Sequence, residues 1–365
     1  MPRDDLEKAP GEVRWEGGGD LRSLSRAGLF AVAAGLREPP YRARQLFGWI
    51  HRRLATSIEA MTDLPAQMRR TLAARATLAP LAVDATRESS DGTIKYLLRA
   101  PDGARLEAVF LPEEDRRTLC VSTQVGCAMG CTFCRTGTMG LSRDLSAGEI
   151  VDQVYRVETD LRARGHPGDR ETGRVLTNLV FMGMGEPLHN LEALIAALDL
   201  LLDPAGLGFS HRHITVSTSG LVPEMAEFAR RTRVKLAVSL NAPTDEQRER
   251  IMPVDRKYPL ARLIAACRDF PTTPGRELTF EYVLLSGVND ADEDAQALAS
   301  LAGPLGIKVN LIPYNENPGL GFGAPDPTRV QAFHEILVRR GVLAMVRKNR
   351  GRDVAAACGQ LAAQS

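Results

Sequence analysis

From Thr118 onward the chain alternates short apolar runs with amphipathic stretches. TLCVST (118–123), TNLVFM (177–182), HITVST (213–218), VKLAVSL (234–240), LTFEYVLL (278–285) and KVNLIP (308–313) have the length and composition of strands. The segments between them read as helices with legible starts. Ser146 and Glu149 make an S-x-x-E capping box ahead of IVDQVYRVETDL. Asn190 precedes LEALIAALDLLL, Asp290 or Asp292 precedes a Glu/Ala/Leu-rich run, and Asp326–Pro327 opens TRVQAFHEILVRR. Six strand–helix units with right-handed crossovers predict an α/β fold, a parallel sheet curled into a partial (β/α)6 barrel. They are too few for a closed eight-fold barrel.

The earlier part of the chain has other periods. Residues 1–22 read as a flexible leader, with Gly17–Gly19 at its end. Leu24–Ala79 reads as helices punctuated by Pro39–Pro40 and Leu64–Pro65. Leu46, Trp49, Ile50 and Leu54 give one apolar face, leaving Arg42, Arg44, Arg52 and Arg53 largely on the others. TIKYLLRA, a Pro101–Asp102–Gly103 turn and ARLEAVFLP then form a β-hairpin pattern. The expected organisation is therefore a leader (1–22), a helical accessory domain (23–85), a hairpin extension (86–117), the partial barrel (118–345) and a tail (346–365).

Charge modifies this picture locally. The 365 residues carry a formal net charge of +1, which makes no global case for nucleic acid. Yet Arg37–Arg75 holds eight Arg against Glu38, Glu59 and Asp63, and Arg347–Asp353 holds four basic residues against one acid. Two basic patches flanking a catalytic core favour a polyanionic partner. The N-terminus lacks the apolar stretch of a signal peptide and no run approaches a membrane span, so the expectation is a cytoplasmic protein with no membrane partner. Nothing in the sequence demands more than a monomer.

The densest chemistry is GCAMGCTFCRTGTMG (Gly126–Gly140), which sets Cys127, Cys131 and Cys134 at C-x3-C-x2-C. Three adjacent thiolates can wrap a four-iron cluster and leave one iron open to an outside ligand. A structural zinc site normally needs a second Cys or His hook, and Cys120 is the candidate to complete one. A disulfide framework does not suit a chain with no secretory mark. Cys267, in LIAACRDF, reads as a small apolar core residue. Cys358 follows Arg347, Lys348, Arg350 and Arg352, and nearby positive charge favours a thiolate there.

In parallel α/β folds ligands bind at the carboxyl ends of strands. The cysteine motif follows the first strand, GMGEPL (183–188) the second, STSG (217–220) the third, SLNAP (239–243) the fourth and PYN (313–315) the sixth. Gly183 and Gly185 expose backbone groups, Glu186 can accept from an ammonium, and Ser217 and Asn315 can bond ribose or carboxylate. Glu107, in LEAVFLP, reads as an ordinary exposed strand residue.

At these residues the sequence resembles the radical S-adenosylmethionine (AdoMet) RNA methyltransferases of the RlmN type, dual-specificity 23S rRNA/tRNA enzymes that methylate adenine at carbon 2. CVSTQVGCAMGCTFC, FMGMGEPL, TVSTSG, AVSLNAP, NLIPYN and VRKNRG…AACGQL carry the resemblance, over about Tyr41–Leu361. It implies a partial barrel of the radical AdoMet type, with one [4Fe–4S] cluster on Cys127, Cys131 and Cys134. It implies AdoMet contacts at Gly185, Glu186, Ser217, Ser239, Leu240, Asn241 and Asn315. Cys358 would be methylated by one AdoMet, and a second, cleaved to a 5′-deoxyadenosyl radical, would take a hydrogen from that methyl group. The resulting carbon radical would join adenine to Cys358, Glu107 would take the ring proton, and Cys120 would attack the Cys358 sulfur and leave a transient disulfide. The resemblance also implies rRNA and tRNA as partners and an electron donor of unknown identity. The sister enzymes acting on adenine carbon 8 share these catalytic residues, so carbon 8 is the alternative; a non-enzymatic zinc- or cluster-bearing RNA-binding protein is a further one. The chain departs from the family's usual pattern at Asn241 (commonly His), Arg135 (commonly small) and Arg352 (commonly acidic).

Overall fold

The computed structural model describes residue 15 and residues 18–78, 80–169 and 171–363. Most of the expected leader (1–14, 16 and 17) lies outside these. Its last residues are not loose. Asp20 bridges to Thr77, and Leu21 and Arg22 are fully buried. The cause is electrostatic as well as apolar: the Arg22 guanidinium pairs with buried Asp152 at 3.0 Å and donates to the Ala55 carbonyl at 2.9 Å.

Three helices follow, α1 (Arg26–Gly35), α2 (Tyr41–His51) and α3 (Ala66–Arg75). Ser25 caps α1 by accepting from the Gly28 N–H, and Pro39–Pro40 mark the start of α2. Leu46 and Ile50 bury the face that their spacing predicts, while Arg44, Arg52 and Arg53 stay exposed. Leu54 is buried too, but beyond the helix end, in a left-handed conformation.

A meander of β1 (Ala82–Glu88), β2 (Ile94–Arg99) and β3 (Arg105–Pro112) leads antiparallel into β4 (Arg117–Cys120). The hairpin turn is as expected: Gly103 takes a positive φ and Asp102 accepts from the Ala104 N–H. The third strand, β1, was not foreseen, because its exposed polar residues show no alternation. The cysteine loop after β4 contains a small ribbon of β5 (Gln124–Gly126) and β6 (Leu141–Asp144) around the short α4 (Arg135–Thr138).

Strand–helix alternation then runs α5 (Ala147–Ala163), β7 (Asn178–Phe181), α6 (Leu191–Leu202), β8 (Ile214–Thr218), α7 (Val222–Arg231) and β9 (Lys235–Ser239). It continues with α8 (Asp245–Ile251), α9 (Leu260–Asp269), β10 (Leu278–Leu284), α10 (Asp292–Ala302), β11 (Lys308–Pro313), α11 (Pro327–Arg339) and β12 (Ala344–Val346). The main sheet has ten strands in the order β1-β2-β3-β4-β7-β8-β9-β10-β11-β12, parallel from β4 onward. The six expected strands are present. β12 adds a seventh parallel one, three residues long and too short to stand out in the sequence. Of the expected caps, Ser146 on α5 and Asp326 on α11 form their side-chain bonds, whereas Asn190 makes none to α6 and donates instead to the Thr123 and Leu145 carbonyls. No described helix is long and apolar enough to cross a membrane.

Alternation along these strands sorts two environments. Ile214, Val216, Phe280, Tyr282, Val309 and Leu311 are fully buried in the apolar core. The intervening Thr215, Thr279, Glu281 and Asn310 line a cavity inside the sheet's curve. A polar interior is ligand space rather than core.

The helical module is keyed to α5 by His51, whose Nδ1 lies 2.7 Å from the Tyr155 hydroxyl. Burial pushes the His51 pKa down to about 3. The unfolded chain, with an ordinary value of 6.5, therefore binds a proton that the folded chain refuses. Stability from this site is complete above pH 6.5 and is lost as pH falls toward 3. Urea titrations across that range are expected to show the decline, and His51→Gln to flatten it.

Candidate active site

The cysteine loop is closed by backbone geometry that only glycine permits. Gly126 has φ +79, and a Cβ there would sit 1.9 Å from the Gly140 carbonyl oxygen. The Cys127 N–H donates to that same oxygen at 2.9 Å. A Cβ on Gly137 would press on the Cys131 carbonyl at 2.8 Å. The loop thus folds on itself with Cys127 buried and Cys131 and Cys134 half-buried. Burial pushes the Cys127 thiol up to about 12 and raises Cys131 and Cys134, and the three repel one another as thiolates. Such a trio needs a cationic group to stay ionised, as cluster iron provides. Among the described residues no three Cys, His, Asp or Glu side chains, the motif cysteines included, converge on a single ion position. The donor set fits a cluster.

The strand-end turns meet beside this loop. Gly185 has φ +98, and a Cβ there would lie 2.5 Å from that of Gln124; one on Gly183 would lie 2.6 Å from the Ser122 hydroxyl. Glu186 is buried, and its carboxylate accepts from Leu188 N–H at 3.0 Å and Ser219 N–H at 2.7 Å. Burial raises its pKa against these bonds. The hydroxyls of Ser217 and Ser239 are 3.5 Å apart on neighbouring strands. Asn315 is buried with its Oδ1 unpartnered in the protein, at the edge of the cavity that Cys134 also lines. An orphaned buried acceptor beside the cysteines fits a bound polar ligand.

Leu240 and Asn241 are placed differently. The Leu240 side chain is in the core. Asn241 adopts φ +58, a conformation that Asn tolerates better than most residues. Its Oδ1 accepts from Val283 N–H at 2.8 Å and its Nδ2 reaches Met252 Sδ at 3.1 Å. Both residues shape the turn, and their side chains are committed to the protein.

What holds two of these turns together is Arg248, which its sequence context does not mark. Fully buried, it donates to the carbonyls of Leu240 (3.0 Å), Ser219 (2.6 Å) and Ser239 (3.3 Å) and pairs with Asp255 at 2.7 Å. Within the run DEQRER it looks like a solvated helix charge.

A cavity of about 750 Å³ runs down the barrel from Cys134, Thr136 and Asn315 past Cys120 and Cys358. Burial pushes the Cys120 thiol up to about 12, with the neighbouring Cys358 adding to the rise and Arg347 opposing it. Arg347 Nη1 is 3.9 Å from Cys358 Sγ. Of the basic tail, Arg347 is the residue at the thiol; Lys348 and Arg350 line the cavity, and Arg352 is exposed. Cys267 is core, as expected.

Glu107 is buried, contrary to the exposed position expected of it. Its carboxylate pairs with Lys95 at 3.1 Å and accepts from Ala362 N–H at 2.9 Å. It lines a second cavity with Arg87, Arg135, Asn317 and Gln360. The tail lies between the two cavities. It is fastened by Arg135 N–H to Gly359 O (2.8 Å) and Thr136 Oγ1 to Leu361 O (2.6 Å).

Comparison with known proteins agrees with this geometry. A profile of the Radical SAM superfamily matches residues 121–299, and one of the ribosomal RNA large subunit methyltransferase N-terminal domain matches 19–78. A crystal structure of a radical SAM methyltransferase from Sphaerobacter thermophilus superposes with a TM-score of 0.89 at 48% identity, covering 94% of this chain and 99% of that one. The class is therefore that of the radical AdoMet methyltransferases. A dual-specificity RNA methyltransferase RlmN from Anaeromyxobacter dehalogenans is 60% identical over 94% of this chain and 92% of its own length. One from Geobacter sulfurreducens is 49% identical over 94% and 91%. The chain belongs to the RlmN family of RNA methyltransferases.

Proposed function

We propose that this protein methylates carbon 2 of adenine in 23S rRNA and tRNA, with Cys358 as the methyl carrier. The observation that carries the reading is the convergence of Cys120, Cys358 and Arg347 on one cavity topped by Cys134. Carbon 2 of adenine is a poor nucleophile, so direct displacement does not serve and a radical cofactor is needed. Cys127, Cys131 and Cys134 would hold the [4Fe–4S] cluster, with Gly185, Glu186, Ser217, Ser239 and Asn315 lining AdoMet. When bound, cluster and AdoMet would together supply the radical chemistry, with two AdoMet consumed per turnover.

The protein's own groups do the rest. Arg347 offsets the charge of the Cys358 thiolate that accepts the methyl group. Cys120 attacks the Cys358 sulfur, forming a disulfide as the carbon–sulfur bond to the modified RNA breaks; the bonding pair leaves with the methylene carbon, which takes a proton to become the methyl group. Two electrons from an outside donor restore the thiols, which suits a reducing cytoplasm. Glu107 receives the ring proton once the tail shifts, since Ala362 and Lys95 hold its carboxylate here. The protein works as a monomer.

The helical module supplies phosphate contacts. Arg53 stacks over Trp49 at 4.3 Å, and Arg52 beside it is exposed. Reversing both charges is expected to lower RNA affinity about tenfold near 0.1 M salt and to flatten its salt slope. Titrations at several salt concentrations would measure this, and an unchanged slope would exclude the module from binding.

Product analysis tests the function. Reconstituted protein, AdoMet, reductant and unmodified tRNA or an rRNA fragment are incubated without air, and the nucleosides are resolved by mass spectrometry. 2-Methyladenosine is expected. 8-Methyladenosine would assign the sister activity instead, and AdoMet cleavage without methylated RNA would refute the substrate.

A further inference from the structure

The second cavity, of about 310 Å³, has a charge distribution that the methyl-transfer steps do not use. Its lining contains three cations, Arg87, Lys95 and Arg135, against one carboxylate, Glu107. Lys95 and Glu107 neutralise each other in the wall. Neither Arg87 nor Arg135 has a carboxylate partner among the described residues. Arg87 also lies directly opposite Lys95 in the β1–β2 register. Because Glu107 already neutralises Lys95, the exposed Arg87 beside it is left as surplus positive charge at the cavity mouth.

We infer that Arg87 and Arg135 form a phosphate subsite, which binds a backbone phosphate of the RNA next to the base undergoing methylation. The inference rests on the RNA reading above and deepens it. Guanidinium groups suit this ligand, because their planar forks can take two oxygens of one phosphate. The position suits it as well. The cavity is separated from the one holding Cys358 only by the tail, and it shares Glu107, the expected proton acceptor. A phosphate anchored there leaves its base to reach across the tail toward Cys358. Arg135 follows cluster ligand Cys134 directly, and its N–H holds Gly359, so the subsite also touches the segment that carries the methyl group.

The test is RNA binding by the full-length protein over a range of salt, with an unmodified tRNA anticodon hairpin as the probe. Arg87→Gln is the primary variant because Arg87 stands on β1, outside the cysteine loop. It is expected to weaken binding about five- to tenfold and to reduce the salt slope by about 0.7, the value for one phosphate of a single strand. KM for RNA should rise in step, with kcat less affected, and Arg87→Lys, which keeps the charge and loses the fork, should recover the salt slope but only part of the affinity. Arg135→Gln is scored on RNA affinity together with iron content, so that damage to the cluster is read separately. Wild-type affinity and slope in Arg87→Gln, while wild-type protein methylates the hairpin, would overturn the subsite alone. Wild-type protein that neither binds the hairpin in a salt-dependent way nor methylates it would overturn the RNA reading and the subsite with it.

Discussion

Cys358→Ala is expected to yield no methylated adenosine, a loss of about a thousandfold or more, as when a covalent carrier is removed. The residue has no substitute within the cavity: Cys120 is the other thiol beside Arg347, and it is deeper in the barrel wall, paired into β4 against β3 and β7. Cys120→Ala should behave differently. If Cys358 carries the methyl group and Cys120 releases the product, this variant joins RNA to Cys358 and stops there. A protein–RNA adduct should then survive denaturing gels and thiol reductants, because the link is a thioether. The two variants must therefore give opposite results, no adduct from one and a trapped adduct from the other. Equal, free turnover by Cys120→Ala would remove it from the reaction, and methylation by Cys358→Ala would remove the carrier.

The three-cysteine motif was legible in the sequence because its spacing is local, whereas the roles of Cys120 and Cys358 came only from the resemblance. C-x3-C-x2-C specifies its own loop, and Gly126 and Gly137 close it where a side chain would collide. The six barrel strands were legible because each is an apolar run of about five residues bounded by turns. What stayed hidden depends on distant partners. Arg22 looks like a leader charge until Asp152 of α5, 130 positions on, buries it. Glu107 looks like a solvent-facing strand residue until the tail covers it through Ala362. β1 and β12 gain their pairing from neighbours rather than from patterns of their own. The Asn241 side chain bonds Val283 and Met252 in the folded turn, partners that its spacing does not announce. Side-chain direction in a left-handed turn is set by tertiary bonds that no spacing reveals.

Arg248→Ala carries the largest expected cost in stability and also bears on cofactor binding. The guanidinium is fully buried, and its removal would leave three strand-end carbonyls without this donor and Asp255 without its cation. Breaking a buried ion pair from one side typically costs about 3–5 kcal/mol, mostly because the remaining charge is stranded. Arg248→Met/Asp255→Leu, which removes both charges and keeps apolar volume, should recover much of that loss in a denaturant titration. It should not recover AdoMet affinity. Arg248 ties the turns bearing Ser217–Gly220 and Ser239–Asn241 through their carbonyls, beside the Ser217–Ser239 hydroxyl contact, so either variant loosens their alignment. Equilibrium binding of AdoMet to the reconstituted protein would separate the two effects. A double variant that regains stability but binds AdoMet at least about tenfold more weakly would mark Arg248 as a positioning residue. One that regains both would reduce it to packing.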